Sequence, residues 1–117
     1  MSAGLTQTVI AMDLVPFRFG PDATSELPFE LERLRARRVL LVADRALRPH
    51  GLVDRVERLV RDAGAEVVTF DQVHIEPTDR WLRDAIAFAR EVQPDAYVSL
   101  GGGSTIDTAK AMNLFTT

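Results

Sequence analysis

Short apolar runs alternate with amphipathic segments along most of the chain. Residues 39–43 are apolar without interruption, which is typical of a strand covered on both faces. Residues 65–70 and 95–100 are two further runs that predict strands. Segments with helical periodicity separate these runs. The pattern therefore predicts an α/β fold with a parallel, Rossmann-like sheet, right-handed crossovers and flanking helices.

Three segments between and before the strands place their apolar residues on one helical face. Residues 25–37 form the first segment and residues 49–63 the second. A third runs from a capping Thr78 or Asp79 to about residue 92. The second segment also has two oppositely charged pairs at i, i+4 spacing, which predict ion pairs along the helix: Asp54 with Arg58 and Glu57 with Arg61.

The ends of the chain differ from this regular alternation. Residues 9–19 are apolar but interrupted by Pro16, which favours an edge strand or an extended arm. Residues 19–24 have the composition of a turn. The predicted last helix, from about Thr105, has apolar residues on most sides, and such a helix is normally buried on most sides. We therefore expect the chain to be the first part of a longer protein.

The sequence Gly101-Gly102-Gly103-Ser104 joins the last predicted strand to the last helix. Glycines without Cβ atoms let an anionic ligand approach the backbone, and a helix N-terminus favours negative charge. The carboxyl ends of parallel strands are also where such sheets bind ligands. The loop therefore predicts a phosphate site, whereas the structural alternative is a tight turn in which Ser104 and Asp107 form a capping box.

Asp44 follows the first buried strand, so it should lie at the same edge of the sheet as the glycine loop. A carboxylate at this position can accept hydrogen bonds from both ribose hydroxyls of adenosine. It would also repel the additional phosphate of NADP, so we expect NAD as the cofactor rather than NADP. The alternative is a solvated loop aspartate.

Composition and charge exclude several classes of function. A net charge of −3 argues against a nucleic acid or an anionic membrane as partner. The chain has no cysteine, and His50 and His74 belong to no metal-ligand motif. We therefore predict no catalytic and no metal-ligating residue set in this chain. No membrane span or targeting segment is recognisable, from which we expect a cytoplasmic protein.

With the glycine loop placed, nearly the whole chain resembles the N-terminal domain of the iron-containing (group III) alcohol dehydrogenases. The resemblance lies in the turn at 19–24, where Asp22 replaces the usual second glycine, and in the strand that ends at Asp44. It is most specific in the glycine loop followed by Asp107, Ala109 and Lys110. Within the family, residues 76–79, 95–98 and 101–115 resemble the hydroxyacid–oxoacid transhydrogenase branch.

This resemblance implies that residues 1–117 are a dinucleotide-binding domain whose helical, metal-binding partner domain is absent from the chain. Family members bind NAD(P) between the two domains and hold Fe(II) or another divalent ion on one aspartate and three histidines. A hydroxyacid such as 4-hydroxybutyrate would reduce the cofactor, and an oxoacid such as 2-oxoglutarate would reoxidise it. A homo-oligomer is also expected.

The resemblance also assigns roles to individual residues. Gly102, Gly103 and Ser104, with Gly101 before them, would hold the pyrophosphate. Asp44 would hold the adenosine ribose, and Asp107 would support the loop or the nicotinamide side. Three alternatives stay open: a non-catalytic nucleotide- or phosphate-binding module, another iron-type alcohol dehydrogenase, and a relative such as dehydroquinate synthase or glycerol dehydrogenase.

Overall fold

The computed structural model describes residues 9–12, 23–73 and 78–116. These residues form four strands and four α-helices, and a short 3-10 helix follows the second strand. The strands are β1 (Val9–Met12), β2 (Arg38–Ala43), β3 (Glu66–Phe70) and β4 (Ala96–Gly101). The helices are α1 (Ala23–Leu34), α2 (Leu52–Asp62), α3 (Asp79–Val92) and α4 (Gly103–Thr116), and the 3-10 helix is Arg45–His50.

The four strands form one sheet in the order β1-β4-β2-β3. β2 runs parallel to both β3 and β4, which confirms the predicted parallel α/β fold. β1 is an antiparallel edge strand on β4 and pairs Val9 with Gly101. Residues 13–22 lie outside the described residues, and the predicted turn at 19–24 falls mostly among them. Its last two residues, Ala23 and Thr24, already belong to α1.

β2 lies at the centre of the core, and its side chains alternate between two apolar layers. Val39 and Leu41 pack with α1 and α2 on one face, whereas Leu40 and Val42 pack with α3 and α4 on the other. All four side chains are fully buried. Each stabilises the fold by about 1.5–3 kcal/mol relative to an exposed position, which explains why this strand is apolar without interruption.

The two connections that follow β2 cross opposite faces of the sheet and add strands on opposite sides of β2. The chain leaves β2, crosses one face through α2 and returns beside it as β3. It then crosses the opposite face through α3 and returns on the other side of β2 as β4. Such a reversal leaves a crevice at the carboxyl ends of the two strands, where α/β sheets bind ligands.

The predicted helix at 49–63 is replaced by two elements with a break at Gly51, whose φ is +77°. The i, i+4 ion pairs predicted within it are absent from the described residues. Arg48, from the 3-10 helix, instead binds Asp54 at 3.2 Å and lies 3.6 Å from Glu57. Exposed i, i+4 pairs contribute only about 0.3–0.5 kcal/mol, so the Arg48 guanidinium readily replaces them.

α4 is only partly covered within the described chain. Ala109 and Met112 are buried against the sheet, whereas Leu114 and Phe115 are 68% and 52% exposed. The helix begins at Gly103, two residues earlier than predicted, so Ser104 lies in its first turn and not at the capping position.

Candidate functional site

Gly101 is the residue of the loop that the fold itself requires. Its φ is +149°, a backbone conformation that side chains with a Cβ rarely adopt. A Cβ at this position would lie 2.5 Å from Thr105 Oγ1 and 3.1 Å from Asp44 Cβ. Gly101 thus allows the end of β4, the residue after β2 and the first turn of α4 to meet at one point.

Gly102 and Gly103, in contrast to Gly101, border open space. Both are exposed, and a Cβ built on either would meet no described atom within 4 Å. The N–H groups of Thr105 and Ile106 donate to the Gly102 carbonyl at 3.1 and 3.2 Å, so the helical hydrogen bonds begin there. The N–H groups that precede the first helical donors have no partner within a helix, and such groups bind anions. Neither packing against a described residue nor a positive φ accounts for glycine at these two positions.

Asp44 lies immediately beside this loop. Its N–H donates to the Leu100 carbonyl at 3.0 Å, which extends the pairing of β2 with β4 by one residue. Its Oδ1 accepts a hydrogen bond from the Ala46 N–H at 2.9 Å and caps the 3-10 helix. No described residue donates to its Oδ2. Asp44 therefore has one oxygen fixed by the local structure and the other available to a ligand.

These residues line a cleft of about 730 Å³ at the carboxyl ends of the parallel strands. That volume lies within the range of about 300–1,000 Å³ that small-molecule sites occupy. Gln72 and Val73, in the loop after β3, form the remaining part of the wall. Trp81 Nε1 donates to the Gln72 carbonyl at 3.0 Å and holds this loop in place. The lining residues are Asp44, Arg45, Ala46, Gln72, Val73, Gly102, Gly103, Ser104 and Thr105.

The structure brings four of the six predicted site residues to the wall of this cleft: Asp44, Gly102, Gly103 and Ser104. Gly101 is buried and does not line the cleft, but it lies against Asp44 and Thr105, which do. Asp107 is exposed one turn further along α4 and does not line the cleft.

Sequence reasoning missed the other lining residues, although most carry a positional signal. Arg45 and Ala46 directly follow Asp44, and Gln72 and Val73 follow β3 at the same edge of the sheet. Thr105 is four residues after Gly101 and lies one helical turn above it. The rule that ligands bind beyond the carboxyl ends of strands would have selected the first four.

Arg48 fixes the 3-10 helix that follows Asp44. Its Nε donates to Asp71 Oδ2 at 3.3 Å, and its Nη1 donates to Asp54 Oδ1 at 3.2 Å. Desolvation opposes the charge of Arg48, but the hydrogen bond to Asp71 and the charges of Glu57, Asp71 and Asp54 outweigh it and raise the pKa of the guanidinium. Arg48 therefore ties one wall of the cleft to α2 and to the end of β3.

The described residues offer neither a metal-ligand cluster nor a membrane-spanning helix. Within 9–12, 23–73 and 78–116, no group of three histidine, cysteine, aspartate or glutamate side chains could hold a metal ion. His50 is exposed at the end of the 3-10 helix, and His74 lies outside the described residues. None of the described helices has the length and apolar character needed to span a bilayer.

Comparison with known proteins identifies the family. The family model described as iron-containing alcohol dehydrogenase matches residues 16–117. This chain belongs to the iron-containing alcohol dehydrogenase family. A solved iron-containing alcohol dehydrogenase from Thermococcus thioreducens is 34% identical, with a TM-score of 0.71 over 80% of this chain and 24% of its own.

Curated relatives in the family carry a more specific name. The mitochondrial hydroxyacid-oxoacid transhydrogenase of Xenopus tropicalis is 39% identical over 110 residues, covering 94% of this chain and 24% of that protein. The protein of the same name from Mus musculus is 40% identical over 98 residues, covering 84% of this chain and 21% of that protein. The chain thus spans less than a quarter of the length of these relatives.

The cytoplasmic location expected from the sequence is wrong by this comparison. Both relatives are named as mitochondrial proteins. The expectation rested on finding no targeting segment in the 117 residues. In a chain that spans so little of its relatives, such an absence has no bearing on location.

Proposed function

We propose that this chain is the dinucleotide-binding domain of a metal-dependent oxidoreductase of the hydroxyacid–oxoacid transhydrogenase type. The observation that carries the proposal is the open space at Gly102 and Gly103. Two exposed glycines, which no contact with a described residue requires, lie at a helix start and at the reversal point of the sheet. An available carboxylate oxygen lies beside them. That combination suits the pyrophosphate and ribose of a dinucleotide.

In this proposal each part of the cleft binds a different part of the cofactor. The backbone of Gly102, Gly103 and Ser104 faces the pyrophosphate, where the dipole of α4 favours its negative charge. Asp44 Oδ2 accepts hydrogen bonds from the adenosine ribose, and its charge favours NAD over NADP. Asp107 would act from outside the cleft, by supporting the loop or the nicotinamide side.

Hydride transfer to and from the nicotinamide is the chemistry that such a cofactor supplies. The described residues offer no ligand set for a metal ion. Because the chain belongs to the iron-containing alcohol dehydrogenase family, we assign the metal ligands and the substrate-contacting residues to a further domain of the natural protein. The names of the relatives support a hydroxyacid as hydride donor and an oxoacid as acceptor.

Oxidation of a simple alcohol is the second candidate. It is favoured by the likeness to the iron-containing alcohol dehydrogenase of Thermococcus thioreducens. Both candidates use the same cofactor cleft, and they differ in the substrates that the remainder of the protein would select. Turnover with 4-hydroxybutyrate and 2-oxoglutarate, against turnover with a primary alcohol, separates them.

Replacing Gly102 with Val tests the cofactor site directly. A branched side chain would occupy the approach to the backbone, so we expect the dissociation constant for NAD to rise at least about tenfold, the equivalent of one lost charge-assisted hydrogen bond. Because a Cβ at Gly102 meets no described atom within 4 Å, the variant should still fold. Binding is measured by titration calorimetry on the full-length protein, since a second domain would cover the nicotinamide.

Ala87→Val is the matched control, because Ala87 is exposed on α3 and lies outside the cleft. It introduces the same branched side chain and should leave the dissociation constant for NAD unchanged. Folding of both variants is checked by thermal unfolding. If Gly102→Val folds and binds NAD as tightly as the unmodified protein, the loop is only a turn and the proposed function fails.

A further inference from the structure

Two arginines of the 3-10 helix have different environments. Arg48 is engaged by Asp54, Glu57 and Asp71, so its charge is committed to holding the structure. Arg45 is exposed, lines the cleft and forms no ion pair with any residue that the structure describes. An uncommitted guanidinium on the wall of a cleft is available to a ligand.

The cleft wall also shows a simple charge pattern. Among the described lining residues, Asp44 is the only one with a negative side chain and Arg45 the only one with a positive side chain. The two are adjacent in sequence at the end of β2. An anionic group that reaches this part of the cleft would therefore meet repulsion from Asp44 and attraction from Arg45 at the same place.

We propose that Arg45 is a specificity-determining residue that can bind a phosphate on the adenosine ribose, and that the charge of Asp44 is what holds this capacity in check. The inference rests on the proposed dinucleotide function. Guanidinium groups bind phosphate oxygens through paired, charge-assisted hydrogen bonds. An arginine near the ribose is also the usual means by which such folds accept the 2′-phosphate of NADP. Removing the charge of Asp44 should thus raise the affinity for NADP itself, and not only lower the affinity for NAD.

Asp44→Asn is the variant that isolates this effect. The asparagine Oδ1 can still accept the hydrogen bond from Ala46 N–H, so the cap of the 3-10 helix is retained. We expect the full-length variant to bind NADP at least about tenfold more tightly than the unmodified protein does, because repulsion is removed and Arg45 remains. The gain should shrink in high salt, since it is electrostatic.

The decisive comparison adds a second change to that background. Asp44→Asn with Arg45→Gln should lose most of the gain for NADP, whereas Asp44→Asn with Arg45→Lys should keep part of it. Asp44→Asn with Arg58→Gln is the matched control, because Arg58 is exposed on α2 and outside the cleft, and it should keep the whole gain. Dissociation constants for NAD and NADP are measured by calorimetry for all five proteins.

The outcomes separate this inference from the function on which it rests. If the Arg45→Gln double variant binds NADP as tightly as Asp44→Asn alone, Arg45 has no such role. If Asp44→Asn gains no affinity for NADP while the unmodified protein binds NAD, the inference also fails and the proposed function stands. If the unmodified protein binds neither NAD nor NADP, the proposed function itself fails.

Discussion

At the amino ends of β2 and β4, Asp95 uses both carboxylate oxygens to accept hydrogen bonds from the backbone. Its Oδ1 lies 3.0 Å from Arg37 N and 3.1 Å from Arg38 N, and its Oδ2 lies 2.9 Å from Arg37 N. At the opposite ends of the same two strands, Asp44 uses only Oδ1, on the Ala46 N–H. The two aspartates border the same strands, yet only Asp44 retains an oxygen without a partner among the described residues.

The difference shows how a ligand site is distinguished from a structural contact of similar composition. At the amino edge, the carboxylate and the backbone donors satisfy one another, so nothing is left for a ligand. At the carboxyl edge, a carboxylate oxygen, the start of α4 and an arginine face open space. Polar groups that the fold does not use are therefore the better indicator of function than the residue types themselves.

The largest expected loss of stability lies at the carboxyl edge of the sheet. Gly101 is the exception there, because the fold itself requires it. Gly101→Ala would place a Cβ 2.5 Å from Thr105 Oγ1 at a φ of +149°. Overpacking and the unfavourable backbone conformation together should lower the free energy of unfolding by roughly 2–4 kcal/mol. Urea denaturation measures the loss, and Gly102→Ala is the control that should change stability by less than about 1 kcal/mol. Equal losses for the two variants would contradict the division of the loop into structural and ligand-facing glycines.

The second largest loss of stability is expected at the amino edge of the sheet. Asp95→Ala removes the acceptor from two backbone N–H groups, and we expect the free energy of unfolding to fall by about 2 kcal/mol. The groups are exposed, so water partly replaces the lost carboxylate. Calorimetry on the folded variant should give an unchanged dissociation constant for NAD. A variant that folds normally but binds NAD much more weakly would mean that the two edges are not functionally distinct.

Much of the fold follows from local patterns. The apolar run of β2 and the amphipathic faces of α2 and α3 are confirmed. A strand buried on both faces is apolar throughout, and a helix buried on one face is apolar on that face. Thr78 caps α3 by accepting from the Trp81 N–H at 3.1 Å, as the sequence indicated. The 3-10 helix was not predicted, since the contact of Arg48 with Asp71 that holds it forms only after β3 aligns beside β2.

The candidate site could be predicted only in part. Asp44 and the glycine loop carry recognisable chemistry, and the predicted sheet brings them to one edge. The sequence could not show that Gly101 is structural while its neighbours are open, because that depends on where Thr105 packs. It also could not distinguish Arg45 from Arg48. The two arginines are three residues apart, and only the folded structure shows that Arg48 forms ion pairs with Asp54, Glu57 and Asp71.

The smallest effect concerns the two roles assigned to Asp44. Asp44→Ala removes the cap of the 3-10 helix and should lower the free energy of unfolding by about 1 kcal/mol, whereas Asp44→Asn keeps an acceptor and should lower it by only a few tenths, about 0.3 kcal/mol. Both variants remove the charge that would repel a ribose phosphate. Stability, measured by urea denaturation, should therefore separate the variants, while their preference between NAD and NADP should move in the same direction. Equal stability of the two would show that the contact of Oδ1 with Ala46 contributes little, and Asp44 would then be a ligand-binding residue alone.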